Sequence, residues 1–319
     1  MKSFVSIIVV NYNGKHLLKT ILNSILKSNF NNYEILVVDN ASKDGSTEFV
    51  RKNYKNVKLV ENRKNLGYSG INSALKFCKG QHILFLNNDM EIDKNCISEL
   101  VKTIESDKNI AMAAPKLINF YNKSLKSGGT WISRAFYNGH IKGTGKESAK
   151  EIPYLGVGLI KKNFVDKFGY LFDPDYFIYA EDVDLGLRIR LNGKKIVFQP
   201  NAMMYHMHSV TTQKSGKSFS TFLMERNLLT TAFKILSIQN IVLFLPYIIF
   251  ARFLAIFKDI LSLEFGTALS RTKVIFWILL NINFIAAKRS QVQKFRTADD
   301  KYILRVFSEQ YLIKPKFNV

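Results

Sequence analysis

Phe4-Val5-Ser6-Ile7-Ile8-Val9-Val10 runs directly into Asn11-Tyr12-Asn13-Gly14. A nearly continuous apolar run rich in β-branched residues reads as a strand buried on both faces. The Asn- and Gly-rich tetrapeptide after it is turn chemistry. The run is too short for the apolar segment and cleavage site of a signal peptide. The expectation is a first core strand and a protein of the cytosol. Downstream, Lys15–Leu26 shows helical spacing at Leu17, Leu18, Ile21, Leu22 and Ile25. Tyr33–Val38 is a second apolar run and stops at Asp39. Thr47–Tyr54 predicts a short helix, Val57–Val60 a third strand, Gly70–Phe77 a helix, His82–Leu86 a fourth strand and Cys96–Ile104 a helix. Strand and helix alternating at these lengths predict βα units, hence an α/β fold with a mainly parallel sheet and helices on both faces. Ligands of such sheets bind beyond the carboxyl ends of the strands. Asn11–Asn13, Asp39–Ser42 and Asn87–Asp89 should therefore share one rim.

Composition excludes other classes. Of 319 residues, 47% are hydrophobic and 13% aromatic, too many for a disordered chain. Two cysteines, Cys78 and Cys96, exclude a disulfide scaffold and a CxxC zinc site. No G-x-G-x-x-G follows the first strand and no P-loop motif occurs. The net charge of +21 leaves nucleic acid, an anionic membrane and phosphate-bearing substrates open, beside plain solvated lysines.

Residues 119–150 are rich in Gly, Ser, Lys and Asn, with scattered aromatics including Trp131, and read as an irregular insertion over the rim. Tyr154–Ile160 predicts a strand in which Gly156 and Gly158 mark close approach of a ligand or another backbone. A helix is predicted from Glu181 to Leu191, ending at Gly193, with Asp184 and Arg188 as an i,i+4 pair. A strand follows near Ile196–Phe198, then Tyr205-His206, with His208 close behind. From about residue 220 the alternation ends. Ile241–Phe257 and Val274–Ala287 are apolar and helix-like, but Pro246, Arg252, Asn281 and Asn283 interrupt them. Each is marginal for a spanning helix. With Lys258, Arg271, Lys273, Lys288, Arg289, Lys294 and Arg296 around them, they suit helices lying on an anionic membrane surface. A soluble helical subdomain and a spanning segment remain alternatives. The expected division is 1–220 for the α/β domain and 221–319 for the basic helical region.

Three polar clusters carry the chemistry. Asp39-Asn40-Ala41-Ser42 ends the second strand, where a carboxylate can accept from a base N–H or a ribose hydroxyl; an Asx-type turn explains it equally. Asn87-Asn88-Asp89 offers one carboxylate among amide oxygens, a plausible hard-cation site completed by phosphates and water. Glu181-Asp182-Val183-Asp184 opens a helix, where the macrodipole alone favours acids.

As a set, these clusters resemble family 2 glycosyltransferases of the GT-A fold, over roughly residues 3–230. Further matches are Asn65-Leu66-Gly67-Tyr68 with Gly70 and Asn72, and Arg226-Asn227. The wording is especially like the rhamnosyltransferase-like branch. The resemblance implies nucleotide contacts at Asn11, Asn13, Asp39, Asn40, Gly67, Asn87, Asn88 and Arg226, with Asp39 reading the base. Asp89 matches the last aspartate of the family's D-x-D and would hold the metal, Mg²⁺ or Mn²⁺, with His206; the first D is Asn87 here. Asp182 aligns with the catalytic base. Gly156, Gly158, Trp131 and Glu181 are the expected sugar pocket.

The implied activity is inverting transfer of a sugar from a nucleotide-sugar donor (dTDP-rhamnose, a UDP-sugar or a GDP-sugar) to a lipid-linked or polysaccharide acceptor in cell-surface glycan synthesis. The implied place is peripheral, on the cytosolic face of the membrane. Two other classes compete. A sugar nucleotidyltransferase lacks its Gly-rich basic loop after the first strand. A nucleic-acid-binding protein would need a basic stripe, whereas here the lysines scatter and the rim is acidic.

Overall fold

The computed structural model describes residues 3–141, 143–207 and 216–308; His208 lies outside them. The first half alternates as expected: β1 (Val5–Asn11), α1 (Lys15–Leu26), β2 (Tyr33–Asp39), α2 (Ser46–Asn53), β3 (Val57–Glu61), a 3-10 helix over Gly67–Phe77, and β4 (His82–Asn87). All seven residues of β1 are buried, which is why its sequence is apolar without alternation. The inward stripe of α1 is Leu17, Leu18, Ile21, Leu22 and Ile25, one face at helical spacing. Strands β3, β2, β1 and β4 lie side by side and parallel.

The chain continues through β5 (Met90–Ile92), α3 (Cys96–Glu105) and β6 (Ile110–Asn119). Then come β7 (Leu125–Ser127), β8 (Thr130–Ser133), β9 (Asn138–His140), β10 (Lys150–Ile152), β11 (Gly158–Lys161), α4 (Lys162–Phe168), α5 (Glu181–Leu191) and β12 (Lys195–His206). The large sheet has the order β10-β12-β6-β11-β4-β1-β2-β3, with β11 antiparallel to both neighbours. Strand β6 is absent from the sequence expectation because Pro115 sits inside it. A proline cannot donate to a ladder. The partner β12 accommodates it by a register shift between Gln199 and Met203, opposite Pro115 and Lys116.

Two expectations are corrected here. Residues 119–150 are not a plain loop: they hold three short strands and the start of a fourth, and β8 and β9 form a second sheet with a strand from the far end of the chain. The strand expected over Tyr154–Ile160 begins only at Gly158. There a Cβ would stand 2.6 Å from the Ala113 carbonyl oxygen, so this glycine serves strand packing rather than a ligand.

The C-terminal part consists of α6 (Lys217–Ile235), α7 (Ile238–Leu261), α8 (Phe265–Leu280), α9 (Ile282–Gln293), α10 (Asp300–Leu304) and β13 (Phe307–Ser308), which pairs with β8. Helix α6 runs straight across residue 220. Its Lys234, fully buried, lies 2.6 Å from Asp173 and 2.5 Å from Asp184 of α5. Lys288 of α9 reaches Asp173 and Asp175, both at 2.5 Å. Burial pushes the Asp173 carboxyl up, but the two ammonium groups outweigh it and hold it well below the usual range. The expected second apolar segment is two helices: α8 and α9 meet at 71° where the Asn281 side chain turns back to the Trp277 carbonyl (2.8 Å).

Helix α7 turns Arg252 and Asp259 inward and a largely apolar face outward. Its buried stripe is Phe244, Ile248, Ala251, Arg252 and Asp259. Arg252 pairs with Glu225 at 3.1 Å and donates to the Ala135 and Phe136 carbonyls. Arg271 joins Glu225 to Asp259. The outward face carries Val242, Leu243, Phe250, Phe253, Leu254 and Phe257, all exposed. Within its 24 residues an 18-residue window reaches a mean hydropathy of 2.1 with only 22% of that window buried; by length and composition it could cross a membrane.

Candidate active site

The parallel strands deliver three polar residues to one rim. Asn11 is in register with Asp39 of β2, and its neighbour Val10 with Asn87 of β4. Asn11 Nδ2 donates to Asp39 Oδ1 (2.9 Å) and Ser42 Oγ (3.2 Å), and Asn11 Oδ1 accepts from Asn88 Nδ2 (2.7 Å). The other Asp39 oxygen accepts from the Ser42 amide (2.8 Å). Asn40 Nδ2 donates to the Gly67 carbonyl (2.7 Å). Gly67 is required: its φ is +63°, and a Cβ would stand 1.8 Å from the Phe177 carbonyl oxygen. The Tyr68 amide donates to that same oxygen (2.9 Å), which docks the Asn65–Tyr68 stretch on the segment leading into α5.

A cleft of about 620 Å³ opens on this rim. Ten of the expected site residues line it: Asn11, Asn40, Gly67, Asn87, Asn88, Asp89, Gly156, Glu181, Asp182 and His206. Five do not. Asp39 is 2% exposed and stands behind Asn11, fixing its amide and the Ser42 turn. Asn13 is engaged with Ser42 and Lys43 outside the cleft. Trp131 is buried in the small sheet beneath Gly139, and Gly158 is occupied by strand packing. Arg226 binds the Asp175 carbonyl and the side chain of Asn227. Its backbone partner Asp175 lies 51 positions upstream in the chain, so no local signal separates this role from a phosphate contact.

Asp89 and His206 meet although far apart in sequence, because β5 pairs with the end of β12 and sets Met90 opposite His206. His206 Nε2 lies 3.1 Å from Asp89 Oδ2. This pair offers a hard oxygen and an imidazole nitrogen to a cation. Among the described residues no group of three or more His, Cys, Asp or Glu side chains is arranged for a metal. Two protein ligands fit an ion that completes its shell with phosphate and water.

Glu181 and Asp182 open α5 behind two residues in the left-handed region, Tyr179 (φ 70°) and Ala180 (φ 59°). Such non-glycine positions cost on the order of 1–3 kcal/mol each. Asp182 Oδ1 accepts from the Val183 amide (2.8 Å), and a Cβ on Gly156 would stand 3.5 Å from Asp182 Oδ2. Glu181 Oε2 is buried with no hydrogen-bond partner among the described residues. Burial pushes Asp182 up to about 6, and burial with the Asp182 charge pushes Glu181 up to about 8. Tyr68, whose hydroxyl donates to the Gly156 carbonyl (2.7 Å), is raised by burial and then by the charges of Glu181, Asp89 and Asp182. Three carboxylates thus surround one phenol. The arrangement can supply a carboxylate base near neutral pH and a cation site on the same wall.

These raised carboxyls have a stability consequence. Between about pH 4.5 and 8 the native state binds more protons than the unfolded chain, so stability falls as pH rises through that window. Glu181→Gln removes one such group. Its melting temperature should exceed the parent's by at least ~2 °C at pH 8.5, and the gap should close near pH 4, as differential scanning calorimetry would show.

Sequence reasoning missed several lining side chains: Tyr12, Phe177, Tyr179 and His140. The aromatic run 176–179 carried a signal; His140, a lone histidine in a Gly-rich stretch, carried none.

Residues 6–151 match the model of glycosyl transferase family 2. This stretch is similar to family 2 glycosyltransferases, and the fold is GT-A. It is 35% identical over 144 residues to the Escherichia coli UDP-Glc:alpha-D-GlcNAc-diphosphoundecaprenol beta-1,3-glucosyltransferase WfgD, covering 39% of this chain and 56% of that one. It is 26% identical over 225 residues to the Myxococcus xanthus O-antigen biosynthesis protein RfbC, covering 65% of this chain but 17% of the relative. Among solved structures, GalNAc-T7 with UDP, GalNAc and Mn²⁺ superposes with a TM-score of 0.65 at 19% identity, over 78% of this chain and 50% of that one. The chain therefore matches only part of the length of each of these relatives.

Proposed function

We propose that the chain transfers a sugar from a nucleoside-diphosphate donor to a hydroxyl of a lipid-linked or polymeric glycan, with inversion. The observation that carries the reading is the convergence of Asp182, the Asp89–His206 pair and Asn11/Asn40 on one cleft. Asn11 and Asn40 take the nucleotide, with Asp39 holding Asn11 from behind. Asp182 accepts the proton of the acceptor hydroxyl as that oxygen bonds to the anomeric carbon. The bond from that carbon to the diphosphate breaks on the opposite face, and the nucleoside diphosphate leaves. Asp89 and His206 would hold Mg²⁺ or Mn²⁺, which would supply Lewis-acid charge for the leaving diphosphate. No covalent intermediate is needed, so one base suffices. Glu181 and Gly156, beside Asp182, face the sugars.

A donor panel tests this: UDP-glucose, UDP-GlcNAc, dTDP-rhamnose and GDP-mannose, each with and without Mn²⁺. The branch resemblance puts dTDP-rhamnose in the panel, and the UDP-Glc in the name of WfgD puts UDP-glucose there. Turnover of one donor is expected; turnover of none sinks the reading. Asp89→Ala should cut the Mn²⁺-dependent part of nucleotide affinity by at least ~10-fold, measured by calorimetric titration. Unchanged Mn²⁺ dependence would count against Asp89 as a ligand.

The same reading places the protein on the cytosolic leaflet, with α7 in the plane of the interface. Spanning would carry Arg252 and Asp259 away from Glu225 and Arg271 into hydrocarbon, at ~2.5–3.5 kcal/mol for each charge near the centre. Lying flat keeps those pairs and sinks only the apolar outer face. The excess of lysine and arginine suits anionic headgroups, and a polyprenyl-diphosphate acceptor would present its sugar there.

A further inference from the structure

Asn227 lies on α6, outside the cleft, and is fully buried. Its Nδ2 donates to two successive carbonyl oxygens, Ile178 (3.2 Å) and Tyr179 (2.7 Å). Its Oδ1 is held by Arg226 Nε (2.9 Å) and Nη2 (2.7 Å), so the amide cannot flip without losing both bonds. Arg226 also donates to the Asp175 carbonyl (3.1 Å) and lies over the Trp277 ring of α8, 5.4 Å from its centroid. The Tyr176 hydroxyl donates to the Asn227 carbonyl (3.0 Å) and contacts Thr231 Oγ1 (2.9 Å). The bonds to Asp175, Tyr176, Ile178 and Tyr179 all fall on the segment that ends in the left-handed pair Tyr179 and Ala180. Ala180 is the N-cap of α5, and its carbonyl accepts from the Asp184 amide (3.1 Å).

We propose that Arg226 and Asn227 are positioning residues: a two-residue clamp that holds the left-handed turn at Tyr179–Ala180 and so aims Glu181 and Asp182 into the cleft. Strained backbone persists only where its surroundings over-determine it. Here the surroundings are one side-chain amide with both donors on the turn and its acceptor locked by a guanidinium. The clamp rests on Asp182 being the base, but its structural half does not. It also assigns Arg226 a place other than the leaving diphosphate.

Asn227→Asp is the sharpest probe. It keeps the shape and the Arg226 partner but turns an acceptor oxygen toward two carbonyls. The expected result is a ~10- to 100-fold fall in kcat, the scale of a misplaced catalytic group, with donor Kd within ~3-fold of the parent. Hydrogen exchange at the Val183 and Asp184 amides should quicken by at least ~10-fold, since the turn that closes the first bonds of α5 loosens. Adding Ala180→Gly should restore a large part of both, because glycine occupies the left-handed region without strain. Should Asn227→Asp fail to fold, Arg226→Lys, which loses the paired hold on Asn227 Oδ1, should show the same split in smaller degree and the same rescue. Unchanged exchange and unchanged kcat overturn the clamp. So does a loss that glycine at 180 does not relieve, or a donor Kd that rises in step with the loss of kcat, which would put the pair on the donor. If the parent turns over no donor, the glycosyltransferase reading fails, and the exchange experiment alone decides the clamp.

Discussion

Asp182→Asn should lower sugar transfer by ~10²–10⁴-fold, the contribution of a positioned general base, while donor affinity, measured by calorimetry with Mn²⁺, stays nearly unchanged. The asparagine keeps the shape of the side chain and the acceptor oxygen for the Val183 amide, but it cannot take a proton. In the parent, kcat/KM should fall about tenfold per pH unit below about 6, because burial raises the Asp182 carboxyl to that value and the protonated form is not a base. The Asn variant should lose that limb together with its rate. Equal losses of transfer and donor binding would instead make Asp182 a structural residue of the α5 entrance.

Phe250→Glu, Phe253→Glu and Phe257→Glu together should release the protein from vesicles. These side chains are 54%, 59% and 59% exposed and lie along one stripe of α7. Each phenylalanine withdrawn from the interface forfeits ~1.5–3 kcal/mol. Three together lower the partition constant by at least ~10³-fold, at about 1.4 kcal/mol per decade. Sedimentation with phosphatidylglycerol-containing vesicles reads the effect directly. Hydrolysis of a soluble donor should survive, because the inward stripe with its ion pairs is untouched. Full retention on vesicles after the triple change would show that another surface docks; release of the parent into the supernatant would dismiss membrane attachment.

The parts legible in the sequence were those with local causes. β1 and β2 announced themselves because burial on both faces leaves no alternation. The bounds of α5 were legible from its acidic first turn and Gly193. The rim residues followed from strand ends alone. What escaped depends on distant partners. β6 was hidden by Pro115, which only the shifted register of β12 makes tolerable. The small sheet was hidden because its strands span three or four residues, too few for periodicity, and its third member is Phe307–Ser308. Arg252 read as an interruption of an apolar run, and only the packing shows that it faces inward, toward Glu225. Asp39 read as a direct ligand because a strand-end carboxylate gives no hint of whether it stands in the first row or behind it.

The buried Lys234 and the partly buried Lys288 give the last hundred residues an unexpected duty. They are the counter-ions of Asp173 and Asp184, which belong to the α/β half. A chain ending near residue 220 would take both ammonium partners from Asp173, where a buried charge left without its partner costs roughly 3–5 kcal/mol, and would leave Asp184 with Arg188 alone. It would also remove Asn227 and expose the edge of β8. The greasy helices are thus no detachable appendage: trimming them would dismantle the floor beneath Asp182, and repainting the outer face with charge is the change that spares it.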